Sequence, residues 1–100
     1  MKVVVTDAAW DDLLAIGRAI QADNPKRALT FVDELFRACH ELAGMPFAFV
    51  AVQGHQDSGI RRRRHGNYLI FYRVADDDIE VLHVIHAARD YERIVFNDPE

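Results

Sequence analysis

The spacing of apolar residues changes once along this 100-residue chain, from a helical repeat to a strand alternation. Before residue 44, apolar side chains recur every three or four positions, which predicts amphipathic helices. After residue 59 they fall in short runs rich in β-branched and aromatic residues, which predicts strands. A chain of this length forms one domain, residues 1–100. We therefore predict an α+β fold, in which a helical half and a sheet half bury their apolar faces against each other.

The helical half is predicted to be a hairpin of two antiparallel helices after a short strand at residues 2–5. Thr6 and Asp7 can both accept a hydrogen bond from the free amides at a helix start, so the first helix is expected to begin there. Asn24-Pro25 ends that helix and starts the second, because asparagine caps a helix and proline is tolerated at its first position. The second apolar face runs over residues 28–42. The very short link between the helices makes them neighbours in space.

The sheet half is predicted to be an antiparallel meander joined by tight turns. Its strands are expected at residues 60–65, 68–74 and 79–86. Residues 44–59 are interpreted as a loop packed on the core, and residues 89–96 as a last short helix before a polar tail that frays. The predicted order is β-α-α-β-β-β, with the helical hairpin on one face of an antiparallel sheet and a short C-terminal helix.

Charge is divided unevenly along the chain, although the formal total is only −4. Residues 59–74 carry five arginines and no acid, a net of +5, whereas residues 1–58 and 75–100 have nets of −3 and −6. The total argues against a general nucleic-acid binder, but the local excess predicts one cationic surface. Ten of the twelve cationic side chains are arginine, which binds carboxylate or phosphate through planar, bidentate hydrogen bonds.

The run from Arg61 to Arg64 supplies most of this excess. On a strand, Arg61 and Arg63 point to one side while Arg62 and Arg64 point to the other. Two interpretations stay open. The run is either an arginine-protected edge strand paired with acids of the same chain, or a cationic surface for an acidic protein segment or a nucleic acid. It is too short to identify the partner.

The sequence carries no recognisable metal or cofactor motif. His83 and His86 are three apart on one strand, so we expect them to face opposite sides and not to chelate together. There is no GxGxxG, P-loop, CxxC or GxSxG pattern. The single cysteine, Cys39, lies on an apolar helix face and is expected to be a small buried hydrophobe rather than a nucleophile. We therefore expect no metal and no cofactor.

The expected location is a reducing cytosol, and no membrane partner is expected. One cysteine cannot cross-link a single chain. No apolar run approaches the ~20 residues that a membrane span needs. The first residues also lack the layout of a signal peptide.

Two stretches of the sheet half resemble a known protein family. They are Gly59-Ile60-Arg61 followed by His65-Gly66-Asn67-Tyr68-Leu69-Ile70-Phe71-Tyr72-Arg73-Val74, and Ile79–Asp90 with its ending His86-Ala87-Ala88-Arg89-Asp90. These are similar to the central strands, the last strand and the His-(Gly/Ala)-Ala-Arg-Asp ending of the ParE branch of the RelE/ParE toxins. The short first strand and the Asn24-Pro25 break match the same layout. Residues 44–58 match least.

The resemblance implies a RelE/ParE-like fold and the toxin of a bacterial type II toxin–antitoxin module. Such a toxin is held inactive by a small antitoxin, here ParD-like, which offers a helix to the helical hairpin and an extended stretch to the sheet. ParE-like members inhibit DNA gyrase by binding it. A homodimer and a toxin–antitoxin heterotetramer both stay open. The residues expected to bind antitoxin or target are Arg61, Arg63, Arg73, Arg89 and Tyr91.

RelE-like members are instead ribosome-dependent mRNA endonucleases, which is the alternative function. For a nuclease, the resemblance implies four catalytic residues, Arg61, His86, Arg89 and Tyr91. RelE-like enzymes usually have a catalytic arginine directly after the tyrosine of the Gly-x-Tyr turn, where this chain has Leu69. Leucine cannot stabilise charge on a phosphorane, so gyrase inhibition without catalysis is the expected function. A non-toxic remnant that only binds an antitoxin is a further alternative.

Overall fold

Two helices pack against one face of a four-stranded sheet in the computed structural model, which describes residues 1–96. The helices and strands follow in this order: β1 (Lys2–Val5), α1 (Asp7–Asp23), α2 (Pro25–Glu41), β2 (Ile60–His65), β3 (Tyr68–Ala75), β4 (Asp78–His86) and α3 (Tyr91–Phe96). The predicted α+β order is confirmed. The last helix begins at Tyr91 rather than Arg89, and the predicted fraying tail lies outside the described residues.

The helical hairpin forms because a single capping residue links its two helices. Thr6 caps α1, since its hydroxyl accepts a hydrogen bond from the Ala9 amide at 3.3 Å. Asn24 caps α2 by accepting from the Arg27 amide at 3.1 Å. Pro25 then occupies the first helical position, where an N–H would have no partner within the helix. The predicted cap at Asn24 is confirmed, and of the two residues expected at the start of α1 it is Thr6 that caps the helix.

The sheet has the strand order β1-β4-β3-β2. Strands β2, β3 and β4 form the predicted antiparallel meander. Strand β1 pairs parallel with β4, so the sheet is mixed rather than wholly antiparallel. The helical hairpin between β1 and the meander is the crossover connection that a parallel pair requires. The tight turns between β2, β3 and β4 predict their antiparallel pairing. No feature near β1 in the sequence predicts which strand it pairs with.

The sheet separates two hydrophobic clusters of different size. The larger one lies between the sheet and the helical hairpin, and its fully buried side chains include Leu13, Leu35 and Tyr72. The smaller one lies on the opposite face under α3, and its buried residues are Val52, Ile60, Leu69, Phe71 and Ile85. We call these two sides of the sheet the hairpin face and the α3 face. The sequence predicted helical cover on the hairpin face only.

Cys39 is fully buried in the larger cluster, as predicted. Burial raises the pKa of its thiol to about 11, against a smaller opposing effect of the Arg63 charge. The thiol therefore stays protonated and inert at neutral pH.

The connection from α2 to β2 is a packed loop, as predicted, with two short 3-10 turns at Leu42–Gly44 and Gln56–Ser58. Val52 is buried in the smaller cluster. Ala51 forms a β-bridge with Arg61, which lays the loop along the first half of β2. The loop thus shields part of an otherwise open sheet edge.

Candidate functional site

Strand β2 divides the arginine run between the two faces of the sheet. Arg61 and Arg63 lie opposite β3 residues of the larger cluster, and Arg62 and Arg64 lie opposite β3 residues of the smaller cluster. The predicted alternation is therefore confirmed. The two pairs of arginines therefore have different neighbours and different hydrogen-bond and ion-pair partners.

On the hairpin face, the arginines are engaged within the chain. Arg61 donates from Nη1 to the carbonyl oxygen of Phe49 at 2.6 Å. Arg63 donates to the Ala38 carbonyl oxygen at 2.8 Å and pairs with the Glu41 carboxylate at 2.9 Å. Only 17% of the Arg63 side chain is exposed. These contacts tie β2 to the loop and to the last turn of α2, where free carbonyl oxygens favour a cation.

On the α3 face, Arg62 and Arg64 line a cleft of about 350 Å³ between β2, β3 and the start of α3. The other residues lining it are Val50, Leu69, Ala87 and Tyr91. Arg62 donates to the Tyr91 hydroxyl at 3.3 Å, and Arg64 donates from Nε to the Gly66 carbonyl oxygen at 2.8 Å. Within residues 1–96, neither arginine pairs with a carboxylate and no acid lines the cleft. Two uncompensated positive charges therefore stand above an apolar floor.

Tyr91 is the only residue of the predicted site that lines this cleft. Its ring packs on Phe71 with the centroids 5.2 Å apart, and its hydroxyl accepts from Arg62. The ring is thus part of the smaller cluster, and the hydroxyl points to the cationic rim. Tyr91 thus contributes its ring to packing and its hydroxyl to the lining of the cleft.

The other predicted residues lie elsewhere. Arg73 forms an exposed ion pair with Glu80 at 2.7 Å across β3 and β4, at the end of the β2–β3 pair remote from Arg64. Arg89 is exposed just before α3. His86 accepts from the Ala88 amide at its Nδ1 at 3.0 Å. None of the three lines the cleft, so the four residues implied for a nuclease do not converge there.

Sequence reasoning did not select Arg62 and Arg64 as site residues. The alternation along β2 assigned the two pairs to opposite faces, but it carries no information on which face is engaged. That depends on where the end of α2 and the loop before β2 lie. One clue to these two arginines was present in the sequence. Leu69 and Tyr91 were both discussed as residues that bear on function, and both line the cleft together with Arg62 and Arg64.

Metal-binding geometry is absent from the described part of the chain. Among residues 1–96, no three histidine, cysteine or acidic side chains lie close enough to hold a metal ion. His83 contacts the Asp12 carboxylate at 2.9 Å, whereas His86 packs edge-on against Tyr68. Over the same residues, no helix is long and apolar enough to cross a membrane.

A second concave surface, of about 570 Å³, runs along the outside of the helical hairpin. It leaves large apolar side chains exposed: Trp10 by 43%, Leu14 by 54% and Leu29 by 79%. Gly17 lies in its floor, where a Cβ would come within 3.3 Å of Val32, so the glycine allows the helices to approach closely. An exposed apolar groove of this kind marks an interaction site. We call it the hairpin groove.

Comparison with known proteins identifies similar toxins. A family model described as the ParE toxin of the type II toxin–antitoxin system parDE matches residues 3–91. No curated protein sequence matches this chain significantly.

Solved structures share the fold at low sequence identity. A chromosomal ParDE toxin–antitoxin system from P. aeruginosa matches with a TM-score of 0.73 and 21% identity, covering 86% of this chain and 95% of that one. The toxin–antitoxin complex RelBE2 from Mycobacterium tuberculosis matches with a TM-score of 0.58 and 23% identity, covering 85% and 95%. A YoeB/ParE toxin from Agrobacterium tumefaciens has a TM-score of 0.55 and 23% identity, covering 86% and 98%.

Proposed function

The chain belongs to the ParE toxin family of type II toxin–antitoxin systems, and from this premise we propose that it arrests bacterial growth by binding DNA gyrase and is neutralised by a ParD-like antitoxin. One observation carries the choice of a binding mechanism over RNA cleavage. The α3-face cleft contains arginines and a tyrosine but no imidazole or carboxylate among its lining residues. Among the described residues that line the cleft, the Tyr91 hydroxyl is then the one group left for proton transfer in general acid–base cleavage of a phosphodiester.

The position of Leu69 supports the same choice. It follows Tyr68 directly, where RelE-like enzymes are expected to carry a catalytic arginine, and its side chain is buried in the cleft floor. A buried leucine offers no hydrogen bond to a developing phosphorane. The cleft therefore lacks one of the expected charge-stabilising groups, and the described residues that line it include no imidazole or carboxylate.

The hairpin groove supports an antitoxin partner. Its apolar floor and its length along two helices suit the apolar face of a partner helix, which would bury Trp10, Leu14 and Leu29. Arg18 and Asp33 at its edges provide charges that set the register of such a helix. Burial of these three side chains removes an exposed patch that a free monomer tolerates poorly.

The proposal retains the predicted contact residues for antitoxin or gyrase. They are Arg61, Arg63, Arg73, Arg89 and Tyr91. Arg89 is exposed and Tyr91 borders the cleft, so both are accessible to a partner. Arg61 and Arg63 would first have to exchange contacts that they already make within the chain.

The proposal is tested by expressing the chain in bacteria and assaying the purified protein. We expect growth arrest, inhibition of supercoiling by gyrase and no cleavage of mRNA on translating ribosomes. Ribosome-dependent cleavage with normal gyrase activity would contradict the choice of target. Harmless expression of a folded chain would identify an antitoxin-binding remnant instead.

RNA cleavage is the second candidate because Arg62, Arg64 and Tyr91 do meet in one cleft. In that case a tyrosine hydroxyl next to an arginine would be the proton-transfer group. Tyr91→Phe separates the two functions. It keeps the ring and removes only the hydroxyl, so it should weaken gyrase inhibition by less than about tenfold if the cleft only binds, and it should abolish cleavage if the cleft is catalytic.

A further inference from the structure

The loop before β2 holds a phenylalanine at the tip of a β-turn. The turn spans Met45 to Ala48, since the Ala48 amide donates to the Met45 carbonyl oxygen at 3.2 Å. Pro46 occupies the second position, where the fixed φ of proline favours a turn. Phe47 follows as the third residue and is 64% exposed. In the described part of the chain, neither hydrophobic cluster includes Phe47, so core packing does not account for this large aromatic residue.

The turn is fixed in place by residues of the sheet. The buried Tyr72 donates from its hydroxyl to the Pro46 carbonyl oxygen at 2.9 Å. Arg61 donates to the Phe49 carbonyl oxygen at 2.6 Å, and its guanidinium carbon lies over the Phe47 ring, 5.2 Å from the centroid. This contact restrains the ring on one side while most of its surface reaches solvent. A side chain that is already positioned loses little conformational entropy when it binds.

The shape and charge of the turn favour a folded protein as the partner. A projecting ring is desolvated only when a pocket encloses it, and a folded protein offers such a pocket, whereas an extended peptide does not. Arg61 pairs with no carboxylate among residues 1–96, so a positive charge stands beside the ring. A pocket with acidic side chains at its rim complements that charge.

A second copy of the chain fits the turn less well. Its hairpin groove is the larger of the two apolar concave surfaces described above, at about 570 Å³. Insertion of Phe47 into that groove would join two different surfaces. Such a contact does not close into a twofold dimer, and it propagates into rings or open chains.

We propose that Phe47 anchors the toxin to its target by inserting into an apolar pocket with an acidic rim on the surface of a folded protein. The proposal deepens the proposed function and rests on it for the identity of that protein, DNA gyrase. It assigns the turn at Pro46 and Phe47 to the target, whereas the hairpin groove serves the antitoxin. The two partners thus bind different apolar surfaces of the toxin.

Phe47→Ser tests the anchor by removing the ring. The residue is largely exposed and lies outside both clusters, so the variant should stay folded, which circular dichroism establishes. It should bind purified DNA gyrase at least about tenfold more weakly than the unmodified chain, because the apolar surface of the ring is no longer buried. Inhibition of supercoiling should need a correspondingly higher concentration. Phe47→Leu keeps an apolar side chain and should retain part of the affinity.

Leu29→Ser is the matched control. It also removes a large exposed apolar side chain, 79% exposed, but from the hairpin groove. It should change gyrase affinity by less than about twofold and weaken binding of a ParD-like antitoxin by at least about tenfold. Phe47→Ser should show the opposite pattern.

Three results would overturn the proposal. The first is undiminished gyrase inhibition by folded Phe47→Ser. The second is loss of antitoxin binding in Phe47→Ser with gyrase inhibition intact, which would assign the ring to the antitoxin. The third is self-association in analytical ultracentrifugation that Phe47→Ser abolishes without loss of gyrase inhibition, which would assign the ring to a second copy.

Failure of the anchor is distinct from failure of the proposed function. If Phe47→Ser still inhibits gyrase, only the anchor is refuted. If the unmodified chain arrests growth without inhibiting gyrase and Phe47→Ser abolishes the arrest, only the choice of target is refuted. A folded chain that neither arrests growth nor binds gyrase overturns both.

Discussion

The two faces of β2 use the same residue type in opposite ways. Arg61 and Arg63, on the hairpin face, donate to backbone carbonyl oxygens, and Arg63 also pairs with Glu41. Arg62 and Arg64, on the α3 face, have no carboxylate partner within residues 1–96 and border an open cleft. The interpretation as an edge strand engaged within the chain therefore fits Arg61 and Arg63, whereas a binding role stays a prediction and concerns Arg62 and Arg64. The functional unit on a strand is every second residue, not the contiguous run.

The two faces also differ in how their cores are closed. Two helices of 17 residues cover the hairpin face, whereas α3, with six residues, covers the other. Short helices have little stability of their own, so α3 depends on its contacts. His55 supplies two of them: it stacks on Phe96 at 3.7 Å and contacts the Glu92 carboxylate at 2.8 Å. The α3 face should therefore open at lower free energy than the hairpin face.

The largest expected effect compares the two cores directly. Leu35→Ala leaves a cavity in the fully buried larger cluster and should lower the free energy of unfolding by about 3 kcal/mol. Ile94→Ala, in the partly buried cover of the smaller cluster, should cost about 1 kcal/mol or less. Urea denaturation measures both. Equal losses would contradict the expected difference between the two clusters.

A smaller effect concerns the attachment of α3. His55→Ala removes both the stack on Phe96 and the contact with Glu92, so α3 should detach while the rest stays folded. Native-state hydrogen exchange should accelerate at the α3 amides, with a change in global stability below about 1 kcal/mol. Glu92→Gln keeps the stack and should produce a weaker acceleration. Unchanged exchange in His55→Ala would mean that the apolar contacts of α3 suffice.

The smallest expected effect concerns the pKa of one carboxyl group on α2, that of Glu34. The pKa of Glu34 is lowered, first by its hydrogen bond from Arg27 and then by that from His65. A lowered folded-state pKa stabilises the protein above the unfolded pKa, and this contribution is lost as the pH falls through the folded value. In an NMR titration, Arg27→Ala should raise the Glu34 midpoint. An unchanged midpoint would contradict the assignment of Arg27 as the main cause.

Local signals predicted much of the fold. The caps at Thr6 and Asn24 depend on residues within one helical turn, and the meander depends on short turns, so both could be predicted. The parallel partner of β1 could not, because it lies more than 70 residues away. Contacts between residues far apart in the sequence also decide the candidate site, and local patterns do not predict them. Alternation divided the arginines, but the carbonyl oxygens of Phe49 and Ala38 that engage one pair come from distant segments.

The central claim is that the arginines on one face of β2 stabilise the fold and those on the other face bind a partner. The most direct test replaces each arginine by glutamine in turn: Arg61, Arg62, Arg63 and Arg64. For each variant, the free energy of unfolding and the affinity for a blocked peptide of about eight residues that alternates glutamate with valine are measured together. Arg61→Gln and Arg63→Gln should lower stability by about 1–2 kcal/mol with little change in peptide affinity. Arg62→Gln and Arg64→Gln should keep stability within about 0.5 kcal/mol and lose about tenfold or more in affinity. If all four variants change both quantities alike, the two faces of β2 do not differ in function.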